Sequence, residues 1–581
     1  MPDSIANPAD PDRIRMNQDL FANNPAELSD FHLILIKPTH YDDDGYPIQW
    51  LRSNIPANTL ACLYGLAVDC RDRSILGPNV KIHIQTIDET NERLRPMRIL
   101  NKIPRQSTRA LVALVGVQSN QFPRAMDIAS QFIAHGIQVC VGGFHVAGCL
   151  SMLKEMPEDL KAAQRMGVSF FAGEAEPDRL DEVIRDASAG KLKRIYNFLK
   201  SPPDLSGTPF PILPRAQVER TYGVYSSFDL GRGCPFLCSF CTIINVQGRS
   251  SRFRSADDLE KIIRANHAMG VNRFFLSDDN LARNRNWEPC FDRLIELKER
   301  EGITVRLLVQ VDMMCHRIPG FIEKAVAAGV DQIFIGLESV NPENLLDARK
   351  KQNRAGEFRA MLLSWKRFPV VITAGYIIGF PRDTKESILR DVETLKHDLP
   401  IDVVYFTYLT PLPGSEDHRR NLEQGVAMES DMNKYDLNHR ITHHPLMSDR
   451  EWEQAYEAAW ESFYTFEHMT TVLRRMVALR SNKKLTTIYR LVWHREFRRR
   501  HGVHPLEGGF FRRKFRRDRR PSLPLENTLL FYSKYISQLT IAACSATYLY
   551  LRLRLALRKI LRDPKRLKYR DAAIYAEARE G

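Results

Sequence analysis

Three cysteines stand close together in the segment Asp229–Cys241, which reads DLGRGCPFLCSFC. Cys234, Cys238 and Cys241 have Cys-x3-Cys-x2-Cys spacing, just past a predicted strand and beside glycines 231 and 233. Thiolates are the usual protein ligands of iron–sulfur clusters, and a loop lets three of them converge. Three protein ligands on a four-iron cluster leave one iron open to bind a small molecule. The competing reading is zinc, which usually takes four ligands and commonly pairs two Cys-x2-Cys knuckles. No second knuckle is present, and the other seven cysteines are scattered, as buried packing residues would be.

Two series of strands and helices must position these residues. Over 31–190, strands are predicted from Phe31, Val80, Ala110, Gln138 and Val168. Helical spacing runs through NIPANTLACLYGLAVDC (from Asn54) and FPRAMDIASQFIAHG (from Phe122), the latter stopped at Gly136. Five strands with interleaved helices predict an α/β fold with a doubly wound, Rossmann-like parallel sheet, which binds ligands at the carboxyl ends of its strands. Those ends carry Gln118 and Ser119, then Gly142, Gly143 and His145, then Gly173 and Glu174. Glycine there lets a ligand approach the backbone, although tight turns without a ligand use it equally. A Pro- and Ser-rich linker is expected over 191–220. From 221 to 420, strands are predicted from Val224, Arg273, Thr304, Gln332, Val371 and Asp402. Six βα units predict an open partial barrel of TIM type, with its working residues at the C-terminal strand ends.

The cysteine loop after the first strand of a partial barrel resembles the radical S-adenosylmethionine (radical SAM) superfamily over roughly residues 221–420. The resemblance implies that the cysteines hold a 4Fe–4S cluster, that its open iron binds S-adenosylmethionine, and that Phe240 packs near the adenine. FFLSDDNLARN (from Phe274) resembles the second-strand motif that contacts the methionine moiety, which points to Ser277, Asp278 and Asp279. Its glycine-rich form is absent, and a Ser-Asp-Asp-Asn run also makes a helix cap and turn. IGLESVNPENL resembles the fourth-strand motif, with Glu338 and Ser339 facing the cofactor. GYIIGFPRDTKES resembles the fifth-strand motif flanking adenine, with Gly375, Ile377 and Gly379, and TPLPGS resembles the sixth-strand ending. The N-terminal domain resembles the cobalamin-binding domain fused to such barrels, with VGGFH and AGEAE as the shared segments. The Asp-x-His-x-x-Gly motif that brings a histidine to cobalt is replaced by GVQSNQFPRA. His145 reads more readily as a residue capping backbone groups than as a metal ligand.

The resemblance implies cleavage of S-adenosylmethionine to a 5′-deoxyadenosyl radical, with an electron from a donor such as flavodoxin or ferredoxin. Methylation of an unactivated carbon through cobalamin would follow, and a cyclase or rearrangement reaction is the alternative. No acid–base dyad marks the substrate.

Composition and charge bound the rest. With 44% hydrophobic and 27% charged residues, the 581-residue chain reads as a folded protein of several domains. Ten cysteines exclude a disulfide scaffold, and the polar stretch 1–30 has no signal-peptide pattern, so a cytoplasmic, reducing location is expected. A helical extension is predicted over 421–492, with one long amphipathic stretch from Ser448. Much of the net charge of +14 lies beyond it, in the basic segment and amphipathic helix of 493–581. The run Arg495–Arg520 suits an anionic partner, or else a solvated tail. The helix from Asn527 is too diluted by Ser, Thr and Gln to span a bilayer, and packs on the protein or lies peripherally on a membrane surface. Such a helix hints at a lipid-like substrate; a non-enzymatic membrane-surface protein is the bland alternative. The charge also suggests RNA modification. The sulfur-inserting tRNA enzymes, however, add a second cysteine trio and a small C-terminal β-barrel, which are not evident here, and this speaks against nucleic acid.

Overall fold

The computed structural model describes residues 28–104, 107–176 and 178–575, so the polar stretch at 1–30 lies almost wholly outside it. The first series forms β1 (Asp30–Lys37), β2 (Gln49–Ser53), β3 (Lys81–Asp88), β4 (Thr108–Leu114), β5 (Gln138–Gly142), β6 (Val168–Ala172) and β7 (Ile195–Asn197). Six of these make one parallel sheet in the order β3–β1–β4–β5–β6–β7. Alternation along β1 sets the two faces. Phe31, Leu33 and Leu35 pack with Leu60 and Leu66 of helix Asn58–Asp72 and Ile184 of helix Arg179–Ser188. Ile34 and Ile36 pack on the opposite face with Phe122, Ile128 and Phe132. The sixth strand, β7, lies in the segment expected to be linker; three residues are too few to show a period.

The second series forms β8 (Tyr225–Phe228), a short pair β9 (Gly231–Arg232) and β10 (Arg252–Phe253), then β11 (Arg273–Leu276), β12 (Arg306–Val311), β13 (Val330–Glu338), β14 (Val371–Ile378) and β15 (Val403–Tyr408). The parallel order β15–β14–β13–β12–β11–β8 is sequential, and β8 and β15 remain unpaired to each other. This is the open partial barrel.

The C-terminal region corrects two expectations. The stretch from Ser448 is two helices, Asp449–Phe463 and Phe466–Ala478, broken where Thr465 accepts a hydrogen bond from the His468 amide. The arginine run is no free tail. Within it, β16 (Gly509–Arg513) pairs antiparallel with β2, Arg512 is buried against Asp42 at 2.8 Å, and Arg520 holds Asp431 at 2.6 Å. Much of that charge is therefore spent inside the fold. The final helix, Thr528–Arg562, packs along its Phe531, Leu549, Leu553 and Leu557 edge; among the described residues no helix is long and apolar enough to cross a membrane.

His439 ties the segment after β15 to the loop after β1, with Asp436 at 2.9 Å and Asp43 at 3.1 Å. Burial opposes its charge, but the two carboxylates override this and raise its pKa to about 9. A raised histidine pKa stabilises the fold fully below about pH 6.5, and that stabilisation fades as pH climbs toward the folded value. Wild-type protein should lose on the order of 1–2 kcal/mol between pH 6 and pH 9.5 through this group. His439→Gln should flatten that slope in denaturant titrations.

Candidate active site

The three cysteines sit in the loop between β9 and β10 and ring a cavity of about 170 Å3 at the mouth of the barrel. Phe240, Asp279, Glu338, Lys350 and Gln352 complete its wall. Among the described residues, no three His, Cys, Asp or Glu side chains converge at the spacing of a single metal ion. Burial raises the thiol of Cys234 and pushes Cys241 up to about 12. A buried thiol in that state ionises when a cation shares the site, which is the behaviour of a cluster ligand.

Two buried networks hold the loop. Arg232, two residues before Cys234, reaches Glu174 at 2.7 Å, Glu176 at 2.9 Å and Asp229 at 3.1 Å. Arg252 also bonds Glu174, at 2.8 Å, and Arg254 lies 3.7 Å from Asp229. Burial works against ionisation of Asp229 and Glu176, yet the Arg232 guanidinium holds both below the usual carboxylate range. The second network starts at the end of β11. Asp278 accepts from the Leu230 amide at 2.7 Å and from Asn284 at 3.0 Å, and Asp279 accepts from the Gly233 amide at 2.7 Å. Burial pushes both acids up to about 7.

These contacts revise the reading of the second-strand motif. Asp278 is spent on the loop backbone, and the Ser277 hydroxyl turns back to the Phe228 carbonyl at 3.4 Å. Of the three, Asp279 alone borders the cysteine cavity. Glu338 borders it too, with φ +67, a strained conformation for a side-chain-bearing residue. Its carboxylate pairs with Lys350, and Asn353 pins the carbonyls of Gly336 and Leu337 at 2.9 and 2.8 Å. Ser339 is buried and accepts from the Asn341 amide, away from the cavity. Gly375 lies mid-strand, where a Cβ would meet Phe334 at 2.9 Å. Ile377 packs with Phe380 and Phe240, whose rings meet edge-on at 6.5 Å. Gly379 opens onto a neighbouring cavity of about 470 Å3 that also touches Phe380, Leu409 and Trp452.

The residues marked in the first sheet separate in the same way. Gly142, Gly143, Gly173 and Glu174 line a further cavity of about 180 Å3, with Gly116, Cys62 and Arg232. It is a glycine cradle. A Cβ on Gly143, at φ +147, would meet the Val117 amide at 2.2 Å. Gln118, Ser119 and His145 lie outside it. Gln118 caps the turn Ser119–Gln121, and the buried His145 ring bridges Ser119 at 3.1 Å and Asp159 at 3.0 Å. His145 is a structural tie on a helix, and no histidine lines the cradle.

The radical SAM superfamily model matches residues 229–395, beginning at the cysteine loop. Residues 229–395 form a radical SAM domain. The chain is 28% identical over 320 residues to bacteriochlorophyllide d C-12(1)-methyltransferase of Chlorobaculum tepidum, covering 54% of this chain and 66% of that one. It is 21% identical over 297 residues to hopanoid C-2 methylase of Rhodopseudomonas palustris, covering 50% and 54%. The chain thus spans two thirds or less of these relatives' length. A solved structure of the radical SAM methyltransferase TsrM from Kitasatospora setae, with cobalamin and a 4Fe–4S cluster bound, matches 74% of this chain and 90% of its own. Its TM-score is 0.52 at 14% identity, a likeness of fold.

Sequence reasoning missed three side chains of this radical SAM site. Lys350 lies 5.7 Å from the Phe240 ring centroid, Gln352 donates to the Cys238 sulfur at 3.5 Å, and Arg232 locks the loop. Lys350 and Gln352 belong to an irregular KKQN run without periodicity; the only signal was its place just after the fourth strand.

Arg232→Met should leave three carboxylates short of their shared cation. Breaking such a buried network costs about 3–5 kcal/mol. The loss should be largest at pH 7 and shrink toward pH 5 as the unpaired acids take up protons, as urea titrations would show. Gly379→Ala places a methyl where the Trp452 indole lies 2.2 Å away, at φ +103. A cost of about 1–3 kcal/mol is expected, with a change in tryptophan emission.

Proposed function

We propose that this radical SAM enzyme methylates an unactivated carbon of a large, apolar substrate with cobalamin as methyl carrier. One observation carries the reading: a glycine cradle at the carboxyl ends of one sheet and a three-cysteine loop at the mouth of a partial barrel share a residue, Arg232. Gly116, Gly142, Gly143 and Gly173 would receive the cobalamin, and Cys234, Cys238 and Cys241 the cluster. When bound, these groups and S-adenosylmethionine supply a carbon radical and a methyl group. The chain's own residues orient and exclude. Phe240, Ile377 and Phe380 give an apolar wall for the adenine, and Glu338 with Lys350 gives a polar end. Gln352 donates to the Cys238 sulfur, and a one-electron donor such as flavodoxin or ferredoxin would supply the electron.

The relatives named for bacteriochlorophyllide and hopanoid methylation support an apolar substrate. So does the final helix, which leaves Leu529, Leu530, Ile536 and Leu555 exposed and carries no acidic residue between Thr528 and Arg562. An apolar stripe beside basic side chains suits an anionic bilayer surface.

Anaerobic reconstitution with iron, sulfide and cobalamin, then reductant and S-adenosylmethionine, tests the chemistry. Formation of 5′-deoxyadenosine with S-adenosylhomocysteine is expected, and Cys238→Ala should give neither and lose most bound iron. 5′-Deoxyadenosine alone would replace methyl transfer with cyclisation or rearrangement. Wild-type protein should float with phosphatidylglycerol vesicles, and Leu529→Ser/Leu530→Ser/Ile536→Ser should sediment. Equal flotation of both would remove the helix from membrane contact.

A further inference from the structure

Away from both cofactor cavities, a cleft of about 650 Å3 opens at the β3 edge of the first sheet. It shares no lining residue with the glycine cradle or the cysteine cavity. Five parts of the chain converge on it: β2, β3, the short helix Pro96–Leu100 with its flanks, the segment Glu219–Arg220, and β16. Its charge is one-sided. Seven lining side chains are basic and two acidic. Among the described residues, Arg52, Arg95, Arg98, Lys102 and Arg513 form no ion pair. The cleft's two glutamates are already engaged, Glu92 by Arg220 and Glu219 by Arg215.

Two of the arginines, Arg93 and Arg513, are held in place by the fold. Phe515 carries the Arg93 guanidinium at 4.0 Å from its ring centroid and that of Arg513 at 5.3 Å. Asp518 grips Arg93 through two bonds of 2.7 and 2.6 Å. Burial, and then the charge of Arg513, lowers the pKa of Arg220 even though Glu92 pairs with it. Like charges gathered without counter-ions destabilise a fold, and an anion relieves that repulsion. Planar guanidinium forks suit phosphate oxygens in particular.

The geometry points to a binding site for a di- or polyphosphate group in this cleft, distinct from the radical site. The lip carries the exposed Leu51, and Phe510 and Phe511 lie exposed on β16 beside Arg513. The phosphates are therefore those of a lipid headgroup or of a soluble phosphate ester.

The test titrates pyrophosphate into the full-length protein by calorimetry and thermal shift, at fixed ionic strength. Saturable binding is expected, with a rise in Tm that matched chloride does not give. Arg95→Gln/Arg98→Gln/Lys102→Gln should bind about tenfold more weakly or worse, since each charge-assisted bond lost is worth at least that factor. Its unliganded Tm should be unchanged or higher, which separates lost recognition from lost folding. Phosphatidic acid vesicles that compete with pyrophosphate would assign the site to a headgroup, and pyrophosphate binding without such competition to a soluble ester. Absence of saturable pyrophosphate binding would overturn the site. So would a variant that binds like wild type, or RNA binding that pyrophosphate does not displace.

Discussion

Arg232 is the constraint on which the site rests. It sits two residues ahead of the first cysteine and draws on carboxylates from two sheets: Asp229 beside β8, and Glu174 and Glu176 after β6. Three buried acids around one guanidinium would be untenable alone, but Arg252 and Arg254 supply two more cations, so three charges of each sign close on themselves. Removing such groups from water is costly, and the cost is met only when every partner is in place. The network is therefore all-or-none. It sets where the cysteine loop stands relative to the glycine cradle, and Arg232 lines that cradle as well.

The second brace follows the same economy by a different means. Asp278 and Asp279 carry no arginine partner; they hold backbone amides of Leu230 and Gly233, and burial lifts both toward neutrality. The loop is thus clamped from the first sheet by charge and from β11 by hydrogen bonds. A cluster held by only three cysteines needs such rigid support, because its ligands sit on a loop with little secondary structure of its own.

Periodicity and glycine punctuation made both sheets legible in the sequence, since alternation along β3 and the apolar runs of β1 and β4 follow from burial on one or two faces. The cysteine trio was legible for a different reason, the chemistry of three thiols at fixed spacing. Side chains with several possible jobs were not. Ser277, Asp278 and His145 are polar residues at strand ends, where facing a ligand and tying a turn use the same atoms, and only the fold decides between them. Arg232 and Gln352 were invisible because their partners lie far away in sequence: Glu174 is 58 residues from Arg232, and Gln352 is 114 from Cys238. The arginine run misled because charge density alone does not reveal that Asp42 and Asp431 wait for it elsewhere in the chain.

The arrangement of the two neighbouring cavities constrains what can react. Polar groups around the cysteines are already paired with one another: Glu338 with Lys350, Asp279 with Gly233, Asp312 with Arg283. Between that cavity and the larger one at Gly379 stand Phe240, Ile377, Phe380 and Leu409. A radical formed behind this wall would meet ring and aliphatic faces there, while Asp279, lifted to about 7 by burial, stays on the cysteine side. Shape can set selectivity along that wall, while Ser239, Asp417, Asn421 and His444 bring polar groups to the larger cavity.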